Sequence, residues 1–450
     1  MPEIFKNKEI AIFTMLGLVS AFLIFINNGN QYNALVLFLF FAISAIALGG
    51  IFLSIDKNPF SLNKTFYLFY YFFFGIAPAI QYKFQSSFFN APLISAKLYI
   101  KGGLLLLGIL LLYNFLYHVT YKILDKRNYK LNSVIRNETP IYFYYGVAIL
   151  SFVVFFVLIK FNVKYLVLRP PSFWLKNNTY LGVLGYGISL VVRAIPVVVV
   201  LQYILKNKYD KKHLFLLGII AIITAFPTAL SRGEAVSLYL PFLVLLLPVF
   251  KRQNVYALSY FFGFFLIFPI LNFFRSQANN VYVGIEVFKT GHFDAFQNFV
   301  LLINEEIITF GKQLIGSMLF FIQEGQWLQK PIGTGTMLAE KLNFEHTNIS
   351  MPFFGEGYAN YGYTGIIVFI ILIVLLNATF DLKYHKNSGS LFFKLVYLFL
   401  LGFEFYILRG DLMSSVKKLC VFIISVSCVL FYFKIAGSIN KVFLKKRSTK

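Results

Sequence analysis

The stretch FPTALSRGEAVSLYLPF (Phe226–Phe242) joins two apolar runs, 213–230 and 235–250, through Ser231-Arg232-Gly233-Glu234. A helix on a soluble core is apolar along one stripe only. Both flanks here are apolar all round, the mark of segments buried in lipid or protein. The charged turn then reads as the point where two membrane-spanning helices meet water.

The same pattern holds outward from this turn. Of the 450 residues, 58% are hydrophobic and 13% charged, and mean hydropathy is +0.72. A soluble domain carries about 25% charge. Apolar runs of about 18 residues or more recur along the chain. The expectation is an all-α, polytopic membrane protein, 1–450 forming a single integral membrane domain with about twelve spans. These fall near 10–27, 33–54, 66–82, 98–119, 141–160, 181–204, 213–230, 235–250, 255–272, 361–380, 391–408 and 413–433. The first run ends in INNGN, without a small-residue cleavage site, and reads as a span rather than a signal peptide. Cys420 and Cys428 share one apolar run about 12 Å apart, too far to bridge. There is no repeat of fixed period, low-complexity tract or soluble domain.

Basic loops set the orientation. With the N-terminus inside, cytoplasmic segments hold Lys6, Lys8, Lys57, Lys64, YKILDKRNYK, Arg136, KNKYDKK, Lys251, Arg252, Lys383, Lys386 and LKKRSTK, so both termini are expected in the cytoplasm. The net charge of +23 is therefore assigned to topology and anionic membrane lipids, not to nucleic acid. The segment 273–360 is a long external loop. Its part FQNFVLLINEEIITFGKQLIGSMLFFIQ is apolar but carries Glu305, Glu306 and Lys312, which predicts amphipathic or re-entrant helices over the external face.

This topology lets four arginines of four external turns converge: Arg169 in KYLVLRPPSFWLK, Arg232, Arg275 in LNFFRSQ and Arg409 in YILRGDL. They run against the positive-inside trend. Arginine near membrane depth costs roughly 2.5–3.5 kcal/mol and marks a pathway or a site. Its planar fork suits phosphate. Singly, each has the plainer reading of a side chain snorkelling to headgroups. Arg193 in LVVRAIPVVVV lies in mid-span and needs a partner, for which Glu404 is the candidate; such a pair either lines a cavity or fixes packing. A second constellation is EHTNISMPFFGEGYANYGYTGIIVF (Glu345–Phe369). His346 and Glu356 are candidate general bases, Asn348 lies beside His346, and Gly362 and Gly365 permit close backbone approach where a span begins. Trp174 and Trp327 suit sugar stacking or interfacial anchoring alike, and Asp294 is a further external carboxylate. No P-loop, Gly-x-Ser-x-Gly elbow or metal-ligand spacing is present.

Together, the Ser-Arg-Gly turn, the late external loop, the H-x-N … G-E-G-Y-x-N-Y-G-x-x-G approach to the next span and the LRGDL turn resemble the Wzy-type polymerases, the oligosaccharide repeat unit polymerases of O-antigen and capsule assembly. The likeness is one of pattern and covers roughly 140–435. The His-Asn segment also resembles that of O-antigen ligases, departing by one residue at His346-Thr347-Asn348. The resemblance implies a fold like the class C glycosyltransferases, and a bacterial inner-membrane enzyme whose active site faces the periplasm. It also implies transfer of a growing chain between undecaprenyl-pyrophosphate-linked oligosaccharides, without metal or cofactor. A chain-length regulator protein is among the partners it implies. Arg232, Arg275 and Arg409, with Arg169, take the leaving pyrophosphate. Glu356 or His346, with Asp411 as a further carboxylate, takes the acceptor proton. Arg193, Asn348 and Trp174 complete the expected substrate contacts. Competing readings are an O-antigen ligase and a flippase for lipid-linked oligosaccharide; the polar residues concentrate at one face, which disfavours the flippase.

Overall fold

The computed structural model of the chain describes residues 2–26, 29–126, 139–169, 182–206, 209–267, 282, 284–322 and 330–448. Among them the regular elements are all helical. In chain order they are α1 (Pro2–Ala21), α2 (Ala34–Phe52), α3 (Leu62–Phe69), α4 (Ala77–Phe84), α5 (Ala96–Asp125), α6 (Ile141–Leu158), α7 (Lys164–Val167), α8 (Gly182–Leu205), α9 (Lys211–Thr224), α10 (Arg232–Leu246), α11 (Val255–Phe262), α12 (Ala295–Asn304), α13 (Lys312–Met318), α14 (Thr334–Lys341), α15 (Phe353–His385), α16 (Leu391–Arg409) and α17 (Leu412–Ser448).

Nine helical stretches among the described residues are long and apolar enough to cross a membrane. They match nine of the expected spans. The other three differ for physical reasons. The run expected at 66–82 is helical from Leu62 to Phe84, but the π-helical turn Tyr70–Ile76 divides it. Every residue from Ser61 to Lys83 is buried, as a helix apolar on all sides requires. The run at 235–250 yields the 15-residue helix α10, which gives way at Leu247, just before Pro248. That at 255–272 yields α11 and the π turn Gly263–Ile267; its remainder lies outside the described residues.

Contacts divide the chain into two compact units. One comprises Met1–Asn128, Pro248–Leu382 and Glu404–Lys417, the other Tyr129–Leu247, Lys383–Phe403 and Lys418–Lys450. In the first, Phe66 stacks on Tyr113 with centroids 3.5 Å apart, a contact worth about 0.5–1.5 kcal/mol beyond area burial. Asp381, near the end of α15, accepts from the first amides of α3, Leu62 N at 2.8 Å and Asn63 N at 3.1 Å. This places a carboxylate at a positive helix end. In the second unit, α6 packs on α8 and Ser151 donates to the Val192 carbonyl. A Cβ at Gly402 would lie 2.7 Å from Ser237 Cα, so α16 and α10 touch backbone to backbone, the packing that small residues allow in membranes.

One expectation for the long loop is revised. From Ala295 to Ile303 every residue of α12 is buried, so this segment is a core helix and does not lie on the surface. It has apolar side chains on every face, and its polar Gln297 and Asn298 find partners at the Phe88 amide and the Ser350 carbonyl. Helix α15 is in fact two helices: Tyr361 and Gly362 leave helical geometry, Gly362 at φ 63° and ψ −144°. The leading piece folds back so closely that a Cβ on Gly365 would stand 1.9 Å from the Gly357 carbonyl oxygen. The two glycines expected to open this span serve that reversal.

Candidate functional site

In the second unit the charged turn is first of all a helix start. Ser231 and Glu234 form a capping box on α10: the Ser231 amide donates to Glu234 Oε2 at 2.9 Å and the Glu234 amide to Ser231 Oγ at 3.4 Å. This pattern satisfies two orphan amides reciprocally. Lys418 pairs with Glu234 at 3.2 Å and donates to Ser231 Oγ. The only carboxylate of the turn is thus engaged.

Arg193 reaches the same turn. Its Nε donates to the Thr224 carbonyl and its Nη1 to the Ala229 carbonyl, each at 3.1 Å. These carbonyls lie at the end of α9 and just beyond it, where a helix favours a cation. The guanidinium lies over the Phe155 ring at 5.0 Å, and Nη2 is buried without a partner. Glu404 does not supply the expected ion pair; it accepts from Asn377 within the first unit. The carbonyls satisfy two of the guanidinium N–H groups but leave its charge without a counter-charge of its own. Thr228 donates to the Val167 carbonyl and so brings the end of α7 to the turn. Arg169, exposed two residues on, is near enough to Arg193 for their charges to interact. Arg232 is half-buried at the start of α10. Three arginines and Lys418 therefore surround one turn holding one carboxylate.

In the first unit the LRGDL turn links α16 to α17. Arg409 Nη2 donates to Asp294 Oδ1 at 2.9 Å and to the Gly291 carbonyl at 3.3 Å. Asp294 is buried and also receives Ser350 Oγ at 2.5 Å, Ser350 N at 3.3 Å and Asn298 Nδ2 at 3.0 Å. Four donors neutralise it in place, while Arg409 keeps 32% of its side chain exposed. Asp411 accepts from Met413 N at 3.0 Å and Ser414 N at 3.3 Å, capping α17, and it meets the Thr334 and Gly335 amides of α14. Burial pushes its carboxyl above its ordinary value, and these amides only partly offset the rise. Glu356 lies beside it, near enough for the two carboxyls to repel. Glu356 is 1% exposed, and its oxygens accept from Thr334 Oγ1 at 2.6 Å and Leu412 N at 2.9 Å. It binds the starts of α14, α15 and α17 into one knot.

The remaining expected residues sit apart from this knot or outside the described residues. His346 and Asn348 are exposed. The His346 ring meets Phe89 edge-on at 5.5 Å, and among the described residues no hydrogen bond orients it. Arg275, Trp174 and Trp327 lie outside the described residues. Three participants were not singled out by sequence reasoning: Thr334, Ser350 and Lys418. For Lys418 a signal existed, a charge inside the apolar run 413–433; Thr334 and Ser350 carry none. Among the described residues no group of three or more His, Cys, Asp or Glu converges as a metal site would. No protein-family model matches the chain, and no curated protein or solved structure does either.

Proposed function

We propose that this protein is a glycosyltransferase of a bacterial inner membrane, an oligosaccharide repeat unit polymerase acting on undecaprenyl-pyrophosphate-linked donors at the periplasmic face. The observation that carries the reading is the turn 224–234. Arg169, Arg193, Arg232 and Lys418 gather there around the single carboxylate of Glu234, which Lys418 and Ser231 already occupy. Four cations against one carboxylate leave a net charge of +3. A buried guanidinium N–H of Arg193 still has no acceptor. A polyvalent anion would complement this charge, and a diphosphate suits the forked donors. Fixed guanidinium groups in an apolar setting stabilise the charge that grows on a departing diphosphate. Described by itself, the LRGDL knot of the first unit offers an acceptor for a proton. Arg409 is held by Asp294, and Asp411, more open than Glu356 and with its carboxyl raised, takes the proton of the acceptor hydroxyl. Glu356 positions the loop. In this reading α3–α4, α10 and the segment beginning at α11 complete twelve spans, in a fold of the class C glycosyltransferase kind.

The test is reconstitution of the purified protein with an undecaprenyl-pyrophosphate-linked repeat unit. Ladder-like polymer that disappears in Arg193→Met, Arg232→Ala and Asp411→Asn supports the proposal. Glycan transferred only to lipid A core would identify a ligase. Substrate that changes leaflet without lengthening would identify a transporter.

A further inference from the structure

A buried polar chain in the first unit takes no part in the proposed transfer. Asn377 on α15 uses its Nδ2 twice, donating to Glu404 Oε1 at 2.8 Å and to the Tyr113 hydroxyl at 3.0 Å. Tyr113 in turn donates to Asn63 Oδ1 at 3.1 Å. All four residues are buried, none more than 1% exposed. Three of their polar atoms have no partner: Glu404 Oε2, Asn377 Oδ1 and Asn63 Nδ2. Orphaned buried polar atoms are costly, and each demands an explanation.

The first two orphans share one explanation. Asn377 and Glu404 each present a two-armed fork, joined by one arm, Nδ2–H to Oε1. The free arms are Oδ1 and Oε2, two acceptors on the two joined groups. Turning the amide about does not remove the difficulty. Oδ1 would then stand 2.8 Å from Oε1, again two acceptors with no hydrogen between them. A hydrogen on the carboxyl resolves either arrangement. We propose that Glu404 is a proton-binding site within the membrane, a carboxylic acid closed on the Asn377 amide by a pair of hydrogen bonds. The bound proton sits on Glu404 and is donated to Asn377 Oδ1; its loss leaves a carboxylate facing an amide oxygen.

The charged and titratable groups around Glu404 agree with a neutral acid. They are Asp381 on α15, Tyr113 on α5, and Tyr256 and Tyr260 on α11, none of them cationic. Among the described residues no cation makes an ion pair with Glu404. Lys64 donates to the Asn58 and Gln253 carbonyls.

The third orphan shows the way out. Asn63 is also part of the wall of a cavity of about 360 Å³, with Gly49, Gly50, Asn114, Tyr117 and His118. The Tyr113 hydroxyl, which donates to Asn63 and accepts from Asn377, links that wall to the amide that holds Glu404. Water in the cavity would satisfy Asn63 Nδ2 and bring solvent to within two side chains of the acid.

Infrared spectroscopy of the full-length protein in lipid vesicles reads the acid directly. At neutral pH the wild type should show a protonated-carboxyl C=O band that is absent in Glu404→Gln and shifted in Asn377→Leu. Spectra of folded wild type and Glu404→Gln with the same carboxylic-acid bands would overturn the assignment. If the variants fail to fold, dicyclohexylcarbodiimide, which reacts with protonated carboxyls in apolar surroundings, decides on the wild type. Modification located at Glu404 by peptide mass spectrometry, and declining as pH rises, sustains the site; an unmodified Glu404 overturns it. Neither readout involves polymer synthesis, so failure here and failure of the proposed transferase activity are separable.

Discussion

Asp411 performs two tasks that a single substitution separates. As cap of α17 it accepts from Met413 N and Ser414 N, and asparagine caps a helix about as well as aspartate. As proton acceptor it needs an ionisable carboxyl. Asp411→Asn should therefore leave the protein folded while removing polymer synthesis, measured by gel ladder alongside thermal melting in detergent. The sign of the pH effect follows from burial, which raises the carboxyl above its ordinary value. The folded state keeps this proton at a pH where the unfolded chain has released it. The stability so gained is present below the ordinary carboxylate range and is lost as pH rises through the folded value. The melting temperature of the wild type should thus fall relative to Asp411→Asn as pH rises over that window, and wild-type turnover should climb over the same window. Arg409→Ala removes a charge-assisted hydrogen bond, worth about 1.5–3 kcal/mol. Asp294 keeps three other donors, so the melting point should drop modestly and activity severely. These residues were partly legible in the sequence. A charge in an apolar chain announces itself, which exposed Arg193, Arg232, Glu356 and Arg409. Their partners were not legible, because the carbonyls of Thr224 and Ala229 and the hydroxyl of Thr334 have no signature apart from the fold.

At the level of elements, apolar run length located the nine long helices, since about 20 apolar residues are what a bilayer requires. What it did not show was where a run breaks. The π turn at Tyr70–Ile76 lies within an unbroken apolar stretch, and the burial of α12 depends on a surface, α5, more than 150 residues away in the sequence: a Cβ on Gly102 would stand 2.4 Å from Val300 Cγ2. The reversal at Gly362 was half visible as a glycine pattern. Its backbone, φ 63° and ψ −144°, lies in a region open essentially to glycine alone, where another residue costs on the order of 1–3 kcal/mol. Gly362→Ala should lower stability by about that amount, read as a lower melting temperature, while the protein still inserts. Gly365→Ala should be worse, because its Cβ would meet the Gly357 carbonyl oxygen at 1.9 Å and backbone cannot move aside as a side chain can. Melting curves of the two variants in one detergent test the order; equal effects would mean that the close Gly357–Gly365 approach is not maintained.

For the molecule as a whole, charge sets the direction in which the helices face. The basic segments that the positive-inside rule assigns to the cytoplasm include Lys57, exposed in the α2–α3 connection, whereas the proposed topology assigns Arg169 and His346, also exposed, to the opposite side. The proposed chemistry depends on this division, because a lipid-linked donor delivered to the outer leaflet must meet Arg232 there. Cysteine accessibility tests it in intact cells. The native Cys420 and Cys428 are unbridged and are replaced by serine to give a silent background. A membrane-impermeant maleimide should then label Arg169→Cys and His346→Cys in whole cells, and Lys57→Cys only after the membrane is opened. The reverse pattern would turn the arginine turn toward the cytoplasm, where a periplasmic polymerase has no substrate. Labelling of all three from outside would break the helix count, since 57 and 169 are separated by α3–α4, α5 and α6, an odd number of crossings in the proposed topology.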